Sequence, residues 1–324
     1  MSWAEILEKY PEANFLQSPE WRKVNEMTGS KVVVDEFEGH GYALMIVRNA
    51  KRGRYLEIPC GPLINWKDPE VLRVVFTKIH KIAEQNHCAF VRIRPQLRRN
   101  AENLEILNKL GLKPSPMHLA AEHTVIIDLT KSEEELLANM RRQTRYDVRR
   151  AEKLGITVEK HNTGEAFLEF HHVQDETAKR QHFIPPKLPI LLAEHDAFGE
   201  NATIYIARSA EKQPIAYGLI IVNGREADYY EAASTELNRK LPGAHALIWQ
   251  AVKDLKAAGV ERFNLWGIAP PNQPNHRYAG VTTFKTGFGG ELVEYVPAHD
   301  LIINKLKYLP NLIVERARKK KRHL

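Results

Sequence analysis

The sequence predicts an α/β protein of two similar halves, each with a mixed central sheet flanked by helices. The first observation behind this prediction is that the order hairpin, strand, helix, strand occurs twice along the chain, with little identity between the two copies. The second is the length of 324 residues, which fits two domains better than one. An apolar fraction of 43% allows two cores to be buried. We expect one domain over residues 1–150 and a second over residues 151–324.

The first half is predicted from its N-terminal helix onward. Ser18 can cap a helix over residues 18–29, with Pro19 at the first helical position. Apolar runs and alternation then predict a hairpin of two strands, a third strand, a long helix, a fourth strand and a short helix. The predicted ranges of these elements are 31–37, 42–47, 54–58, 68–86, 89–94 and 102–110.

A helix over residues 132–154 is predicted between the halves, because Ser132 and Glu135 have the spacing of a capping box. The second half begins with a helix over residues 164–180 and then repeats the order of the first. Its strands are predicted at 203–208, 215–222, 226–232 and 262–266, and its helix at 244–258.

The composition excludes several classes of protein. No apolar run approaches the roughly 18 residues that a membrane span needs, and Met1–Glu5 does not begin like a signal peptide. Cys60 and Cys88 form no CxxC pair, and the 14 histidines show no metal-ligand spacing. We therefore expect neither a metal site nor a disulfide, and a reduced cytoplasm is the predicted compartment.

The net charge of +7 is concentrated in two basic clusters. One lies on the predicted helix 132–154, where Arg142, Arg145 and Arg149 share one face. The other is the C-terminal run Arg316–His323. Such clusters suit phosphate-bearing partners, namely nucleic acid, nucleotide-sugars or anionic lipid headgroups. A solvated helix face and a frayed tail are the alternative interpretation.

The segment Gly280–Glu291 carries the most informative chemical pattern. It places Lys285 between Phe284 and Phe288 in a glycine-rich loop that follows the predicted strand 262–266. Ligand crevices in open α/β sheets form at the carboxyl ends of strands. The segment therefore predicts a functional lysine. The alternative is a glycine-containing turn before a terminal strand, with an exposed lysine.

Four segments, in order along the chain, together resemble the FemABX family of peptidoglycan-bridge aminoacyltransferases. They are Asn14–Trp21, Arg142–Glu152, Tyr229–Ser234 and Phe284–Glu291. The chain lacks the long coiled-coil insertion of some members and is more similar to the compact FemX type. The resemblance implies tandem GNAT-like acyltransferase domains, aminoacyl-tRNA as a co-substrate and no cofactor. It also implies that the acceptor is a peptidoglycan precursor, either UDP-MurNAc-pentapeptide or lipid II.

The resemblance implies roles for single residues as well. Lys285, placed by Phe284, would stabilise the charge that develops at the ester of aminoacyl-tRNA. Arg180 and Tyr230 match the acceptor-binding arginine and tyrosine of the family, and Lys23 matches its N-terminal phosphate-binding lysine. Two alternatives stay open, namely a helix-end arginine for Arg180 and a core position for Tyr230.

Two further predictions concern contacts with tRNA and the base that the reaction needs. The three arginines of the basic helix face are predicted to contact the tRNA backbone. A base is needed because an amine must be neutral to attack, and Glu291, Asp300 or a substrate itself could supply it. The stretch Gln181–Ile184 stands where the family has a second tyrosine, which leaves that contact open.

The leading prediction is a tRNA-dependent aminoacyltransferase that adds Gly, Ala or Ser to the stem peptide of a peptidoglycan precursor. One alternative is an N-acyltransferase that uses acyl-coenzyme A, but the segment Arg239–Ala244 lacks the regular glycine spacing of a coenzyme A loop. The other is a non-catalytic protein that binds RNA or a membrane surface. We expect a monomer in the cytoplasm, with peripheral contact to the inner face of the plasma membrane.

Overall fold

A computed structural model of the chain describes residues 1–181, 183–271, 273 and 276–322, without the side chains of 320–322. The chain divides into two compact units, Met1–His123 with Val293–Leu324, and Thr124–Leu292. This division differs from the predicted boundary at residue 150. The difference arises because the chain leaves the first unit and later returns to it. A pattern followed along the sequence carries no sign of such a return.

Each unit is built on a seven-stranded sheet. The strands of the first unit are β1 (Lys31–Asp35), β2 (Gly41–Ala50), β3 (Gly53–Pro59), β4 (Leu63–Ile64), β5 (Cys88–Arg94), β6 (Lys113–Pro114) and β14 (His299–Ile302). Those of the second unit are β7 (His123–Asp128), β8 (Thr157–His161), β9 (Ala202–Arg208), β10 (Pro214–Asn223), β11 (Glu226–Ser234), β12 (Arg262–Asn264) and β13 (Glu291–Glu294).

The sheet of the first unit has the order β1-β2-β3-β5-β14-β6, with β4 paired to β2. Strands β3 and β5 run parallel, and the other pairs are antiparallel. Strand β14, from the C-terminal segment, lies between β5 and β6. The unit therefore needs both ends of the chain to complete its sheet.

The helices of the first unit are α1 (Trp3–Lys9), α2 (Pro19–Met27), α3 (Pro69–Gln85), α4 (Ala101–Lys109) and α11 (Lys305–Arg322), with 3-10 turns at Phe15–Gln17 and Phe37–Gly39. The predicted start of α2 is confirmed, because the Ser18 side chain accepts a hydrogen bond from the Trp21 amide and Pro19 is the first helical residue. Helix α3 buries Val75 and Ile79 in the core of the unit.

The sheet of the second unit has the order β13-β7-β12-β11-β10-β9-β8. Strands β11 and β12 are parallel, whereas β12–β7, β11–β10, β10–β9 and β9–β8 are antiparallel. The helices are α5 (Glu133–Asn139), α6 (Arg142–Lys153), α7 (Gly164–Gln181), α8 (Leu188–Phe198), α9 (Gly243–Ala257) and α10 (Ala279–Thr286), with 3-10 turns at Gly199–Asn201 and Glu236–Arg239. The predicted α/β fold with two mixed sheets flanked by helices is confirmed.

Helices cover both faces of the second sheet. On β10, Ala216 belongs to the core cluster that contains Leu247 of α9. The next residue, Tyr217, points the other way, and its hydroxyl donates to Glu169 of α7 at 2.5 Å. Helix α9 therefore covers one face and α7 the opposite one, since successive side chains of a strand alternate between faces.

The predicted helix 132–154 is two helices. The capping box of Ser132 and Glu135 is confirmed, but α5 ends before Met140, whose ψ of 145° is extended. The Arg145 guanidinium of α6 donates to carbonyl oxygens at the end of α5, those of Leu137 and Ala138, at 3.0 Å each. These bonds satisfy helix-end acceptors that a continuous helix would have paired internally.

The predicted glycine-rich loop also contains a helix. Residues Ala279–Thr286 form α10, and only the stretch after it, from Gly287 to Gly290, is irregular. Glycine and β-branched residues have low helix propensity, so the pattern indicated a loop. Packing of Phe284 and Phe288 on each other and on His245 supplies the stability that propensity lacks.

None of the helices in the described part of the chain combines the length and the apolar character that crossing a bilayer requires. The longest helices there, α7 and α11, have 18 residues each.

Candidate active site in the second unit

The site is centred on Lys285, in the last turn of α10. Its side chain is buried, with 8% of the residue exposed. The ammonium nitrogen donates to the carbonyl oxygen of Gly267 at 2.9 Å and lies 5.9 Å from the centroid of the Tyr229 ring. Within the described residues, no carboxylate forms an ion pair with it. Burial therefore lowers the pKa of Lys285 to about 7.

The carboxyl end of β12 and the middle of the parallel strand β11 bring the partners of Lys285 together. Strands β11 and β12 run in the same direction, so Tyr230 and Trp266 lie toward the same edge of the sheet. Their rings meet edge to face, with centroids 5.5 Å apart. Trp266 has a φ of 59°, and its amide donates to the Asn264 side chain at 3.0 Å. This turn presents the Gly267 carbonyl to the lysine.

Tyr230 is the inserted residue of a β-bulge. The register pairs Tyr229 with Ile220 and Glu231 with Leu219, so the one residue between them interrupts the ladder. Tyr229 packs in the core cluster beneath α9, whereas Glu231 accepts a hydrogen bond from Gln174 of α7. In a regular strand these two side chains would share a face. The bulge turns them to opposite faces and re-aims Tyr230 toward Trp266.

The Tyr229 ring lies against the backbone of β10. A Cβ on Gly218 would stand 2.4 Å from Tyr229 Cε2, so a larger residue would displace the ring. Glycine at this position lets the ring lie close to the strand, where it contacts the Lys285 ammonium.

Phe284 holds α10 in place. Its ring is 5.0 Å from His245 of α9 and 5.2 Å from Phe288. Burial lowers the pKa of His245, so the imidazole is neutral at pH 7 and serves as a packing partner. That Phe284 places Lys285, the next residue of α10, stays a prediction.

Arg180, at the end of α7, is engaged by the protein itself. Its guanidinium donates to Thr177 Oγ1 and to the backbone oxygen of Ser234, and its Nε lies 3.0 Å from Glu236. These contacts fit the helix-end alternative. The guanidinium keeps part of its surface exposed, with 24% of the side chain accessible. An anion could therefore reach it in competition with Glu236.

The other predicted site residues lie in different surroundings. Lys23 is on the exposed side of α2 in the first unit, opposite the buried Trp21. Asp300, a candidate base, is in the same unit and bonds Arg92 at 2.8 Å. Glu291 is exposed at the start of β13. Of the stretch Gln181–Ile184, His182 lies outside the described residues.

The three arginines of the basic helix face do not share one environment. Arg142 and Arg149 are exposed on α6, whereas Arg145 is half-buried and bonds the end of α5. The sequence pattern gave all three the same face, which is correct for the helix. It could not show that one of them, Arg145, donates hydrogen bonds to carbonyl groups of the neighbouring helix.

Sequence reasoning missed a polar cluster beside the bulge. Glu194 of α8 is 1% exposed, and Glu231 lies close enough to repel its carboxylate. Burial raises the pKa of Glu231 to about 7, against the opposing hydrogen bond from Gln174. Burial, with the repulsion from Glu231, also raises the pKa of Glu194. A glutamate directly after two tyrosines in a mostly apolar strand was the available signal.

Cys60 and Cys88 are both buried thiols. Among the residues that the structure describes, no group of three or more His, Cys, Asp or Glu side chains is arranged to hold a metal ion.

The sequence profile of the FemAB family matches residues 3–210 and 199–315 of the chain. Aminoacyltransferase FemA from Staphylococcus epidermidis is 20% identical over 332 residues, which cover 76% of this chain and 80% of that protein. The crystal structure of FemX is similar with a TM-score of 0.83 at 18% identity, over 97% of this chain and 98% of that one.

A GCN5-related glucosamine N-acetyltransferase region of a fungal multi-domain protein is similar with a TM-score of 0.50 at 11% identity, over 92% of this chain and 36% of that one. Likeness at such identities concerns the fold. The prediction of a GNAT-like fold is confirmed at that level.

Proposed function

Because the chain belongs to the FemAB family, we propose that it transfers an aminoacyl group from aminoacyl-tRNA to an amine of a peptidoglycan precursor. The precursor would be UDP-MurNAc-pentapeptide or lipid II, and the transferred residue Gly, Ala or Ser. The family supports a transferase role, and the relative from Staphylococcus epidermidis is an aminoacyltransferase by name. No further cofactor is required, since the ester of aminoacyl-tRNA is already activated.

The observation that carries the proposal is the buried lysine at the carboxyl end of β12, beside the bulge in the middle of β11. In aminoacyl transfer the amine nitrogen bonds to the ester carbonyl carbon, and negative charge develops on the carbonyl oxygen. The Lys285 ammonium, held by Gly267, is a preorganised donor for that oxygen. The bond to the ribose oxygen then breaks, and the ribose leaves as an alcohol after it takes up a proton.

A pKa of about 7 suits this sequence of steps. At neutral pH the ammonium and the neutral amine of Lys285 are both populated. The ammonium can give a proton to the leaving ribose oxygen, and the neutral amine can take one from the attacking nitrogen. A group whose pKa lies near the working pH performs both transfers with the smallest barrier.

Flat aromatic surface lies beside the lysine. Tyr230 and Trp266 form an edge-to-face pair at the same strand edge. Such rings stack on nucleobases and sugars, which fits a role in binding the terminal nucleotide of the donor or the sugar of the acceptor. Arg180 would bind the acceptor diphosphate after Glu236 moves aside.

The exposed arginines of α6 support the proposed tRNA donor. Arg142 and Arg149 extend from one helix face into solvent and could contact two phosphates of a nucleic acid backbone. Arg145 instead holds α6 to α5. In this proposal Arg145 is a positioning residue, and the contact with tRNA is made by the other two.

Helix α11 supports a position at a membrane surface. Leu306, Leu309 and Ile313 have the spacing of one helix face and are 85%, 53% and 60% exposed. Four exposed basic residues flank this apolar face, namely Lys305, Lys307, Arg316 and Arg318. Apolar residues among basic ones are typical of helices that lie on an anionic lipid surface. We propose that a monomer of the protein works in the cytoplasm at the inner face of the plasma membrane.

The test is incubation of the purified protein with a mixture of charged tRNAs and each precursor in turn, followed by mass spectrometry of the product. The proposal expects a mass increase of one amino acid that disappears after RNase treatment of the donor. Transfer from acetyl-coenzyme A that survives RNase treatment would contradict it and favour the N-acyltransferase alternative.

A further inference from the structure

Three acceptor-rich side chains meet on the face of the second sheet that α7 covers. Glu194 of α8 is 1% exposed, and within the described residues neither of its carboxylate oxygens has a hydrogen-bond partner. Glu231 of β11 is the charged group that repels it. Gln174 of α7 is 2% exposed and donates its Nε2 to Glu231 at 2.6 Å, while its Oε1 has no partner. The cluster thus holds three buried oxygen atoms that have no hydrogen-bond partner among the described residues.

We propose that this cluster, the Glu194–Glu231–Gln174 site, binds a primary ammonium group of a substrate. An ammonium carries three N–H donors and no acceptor, which is the complement of a site with several acceptors and one donor. A cation between two carboxylates also removes the repulsion that both feel when ionised. The assignment of the ammonium to a substrate rests on the proposed function; its chemical class rests on the site alone.

In the part of the chain that the structure describes, nearby groups make no hydrogen bond to these three oxygen atoms. Arg180, further along α7, is engaged by Thr177, Ser234 and Glu236. His171, one turn before Gln174, lies 3.7 Å from Asp175 through its Nε2, and its Nδ1 is buried without a partner. Calcium would require about six to eight oxygen ligands, which is more than two carboxylates and one amide provide. A primary ammonium is the cation that fits the atoms present.

The bulge at Tyr230 determines where a ligand can enter the Glu194–Glu231–Gln174 site. Glu231 is the one member of the cluster that is partly exposed, and it directly follows Tyr230, the inserted residue that packs on Trp266. A ligand that reaches the Glu231 carboxylate therefore enters beside the aromatic pair of the candidate active site. Deeper in the site it would meet Glu194.

Two substrates of the proposed reaction carry a primary ammonium. One is the α-ammonium of the aminoacyl group on the donor, and the other is the side-chain amine of the acceptor peptide. Glycinamide carries the first group alone and Nα-acetyl-L-lysinamide the second. Nα,Nε-diacetyl-L-lysinamide has the same stem without a charge and serves as the neutral probe.

The test measures binding of the three probes by calorimetry to the full-length protein and to Glu194→Gln and Glu231→Gln. The matched control is Asp196→Asn, an exposed carboxylate on the same helix as Glu194. We expect one of the two amine probes to bind, the neutral probe not to bind, and the affinity to fall at least about tenfold in both Gln variants but not in the control. Thermal melts of each variant show that the fold is retained.

Failure of both amine probes to bind, binding of the neutral probe, or unchanged affinity in folded Gln variants would overturn the site. Transfer assays on the same variants separate this inference from the proposed function. A raised KM for one substrate, with a smaller change in kcat, supports the site and identifies which ammonium it takes. If the natural protein shows no transfer but its probe binding needs both glutamates, the site stands and the proposed function fails. If the variants transfer with unchanged KM for both substrates, the proposed function stands and the site fails.

Discussion

The ammonium nitrogen of Lys285 lies 2.9 Å from the carbonyl oxygen of Gly267, the residue after Trp266, whose amide is held by the Asn264 side chain. This contact joins the last turn of α10 to the carboxyl end of β12. It gives a buried lysine one acceptor in place of a carboxylate, so the charge is oriented without being neutralised. A carboxylate in the same place would hold the proton firmly and make the lysine a weaker donor to a transition state.

Replacing Lys285 by methionine is expected to lower kcat far more than acceptor affinity. The substitution keeps most of the apolar stem and removes the ammonium. If that group stabilises the developing oxyanion, the barrier rises by about 2–4 kcal/mol. Steady-state kinetics with both substrates varied measure this effect, with Lys153→Met on the exposed side of α6 as the control. A Lys285→Met protein with a near-normal kcat would remove the lysine from the chemistry.

The pH dependence of stability should reveal the buried lysine. Its folded-state pKa of about 7 is below the value of about 10.4 for an unfolded chain, so the folded state disfavours the ammonium. The penalty is complete below pH 7 and declines as pH rises from 7 toward 10.4, over which range the protein gains on the order of 4 kcal/mol from this group. Urea melts of the natural protein and Lys285→Met at pH 6 and pH 9 measure it.

The free energy of unfolding of Lys285→Met, relative to that of the natural protein, should be higher at pH 6 than at pH 9. The kinetic counterpart is a ratio of natural to variant kcat that falls as pH rises through about 7, because the ammonium is lost there. A ratio that stays constant between pH 6 and pH 9 would show that protonation of this lysine has no part in turnover.

Arg180→Ala is expected to weaken binding of UDP-MurNAc-pentapeptide more than binding of the donor. The change removes a guanidinium that can pair with diphosphate oxygens. It also removes the bond to the Ser234 carbonyl, so the matched variant is Glu236→Gln, which frees Arg180 from its ion pair and should strengthen acceptor binding. Titration calorimetry compares the two. Unchanged acceptor affinity in folded Arg180→Ala would leave the arginine as a helix-end residue.

The arginines of α6 should separate into two behaviours. Reversing Arg142 and Arg149 to glutamate is expected to weaken tRNA binding and to lower the slope of log affinity against log salt by about one unit for each lost phosphate contact. Arg145→Ala should instead lower the melting temperature, because the carbonyl groups of Leu137 and Ala138 lose the guanidinium donor that joins α6 to α5. If the slope of log affinity against log salt is unchanged in the double variant, these two arginines do not contact the tRNA backbone.

The exposed face of α11 offers a test of membrane contact. Changing Leu306, Leu309 and Ile313 to serine keeps every charge and is expected to reduce sedimentation with anionic vesicles, while kinetics with soluble substrates stay the same. Truncation of the helix is a poorer test, since Glu315 bonds the buried Arg92 at 2.7 Å and its loss would disturb the fold. If the triple variant sediments with the vesicles as much as the natural protein does, the apolar face does not contact lipid. Any contact with lipid would then come from the basic residues alone.

Local signals in the sequence were sufficient for much of the fold. Ser18 with Pro19, and Ser132 with Glu135, act within one helical turn, so their caps could be predicted from neighbours alone. The break before Arg142 could not, because it depends on where the Arg145 side chain donates. Helix α10 is a similar case, since aromatic packing outweighs the low helix propensity of its residues.

In the candidate site too, some features could be predicted from local sequence motifs and others depend on tertiary pairing. Lys285 and Tyr230 were identified from motifs, and both contact the turn that follows β12, Lys285 at Gly267 and Tyr230 at Trp266. The bulge at Tyr230 requires the register against β10, and the meeting of Glu194 with Glu231 joins residues on different elements. Such relationships arise only from tertiary pairing, which no spacing along the chain encodes.

Strand β14 also has a consequence for how the protein is made. The second unit is one continuous segment, so all of its strands have left the ribosome before the first unit can close its sheet. Until β14 arrives, β5 has an exposed edge and β6 has no neighbour to join. The first unit can therefore complete its sheet only after the whole second unit has been synthesised, whereas domains usually complete in order from the N-terminus. A chaperone that shields strand edges would meet this chain with β5 still open.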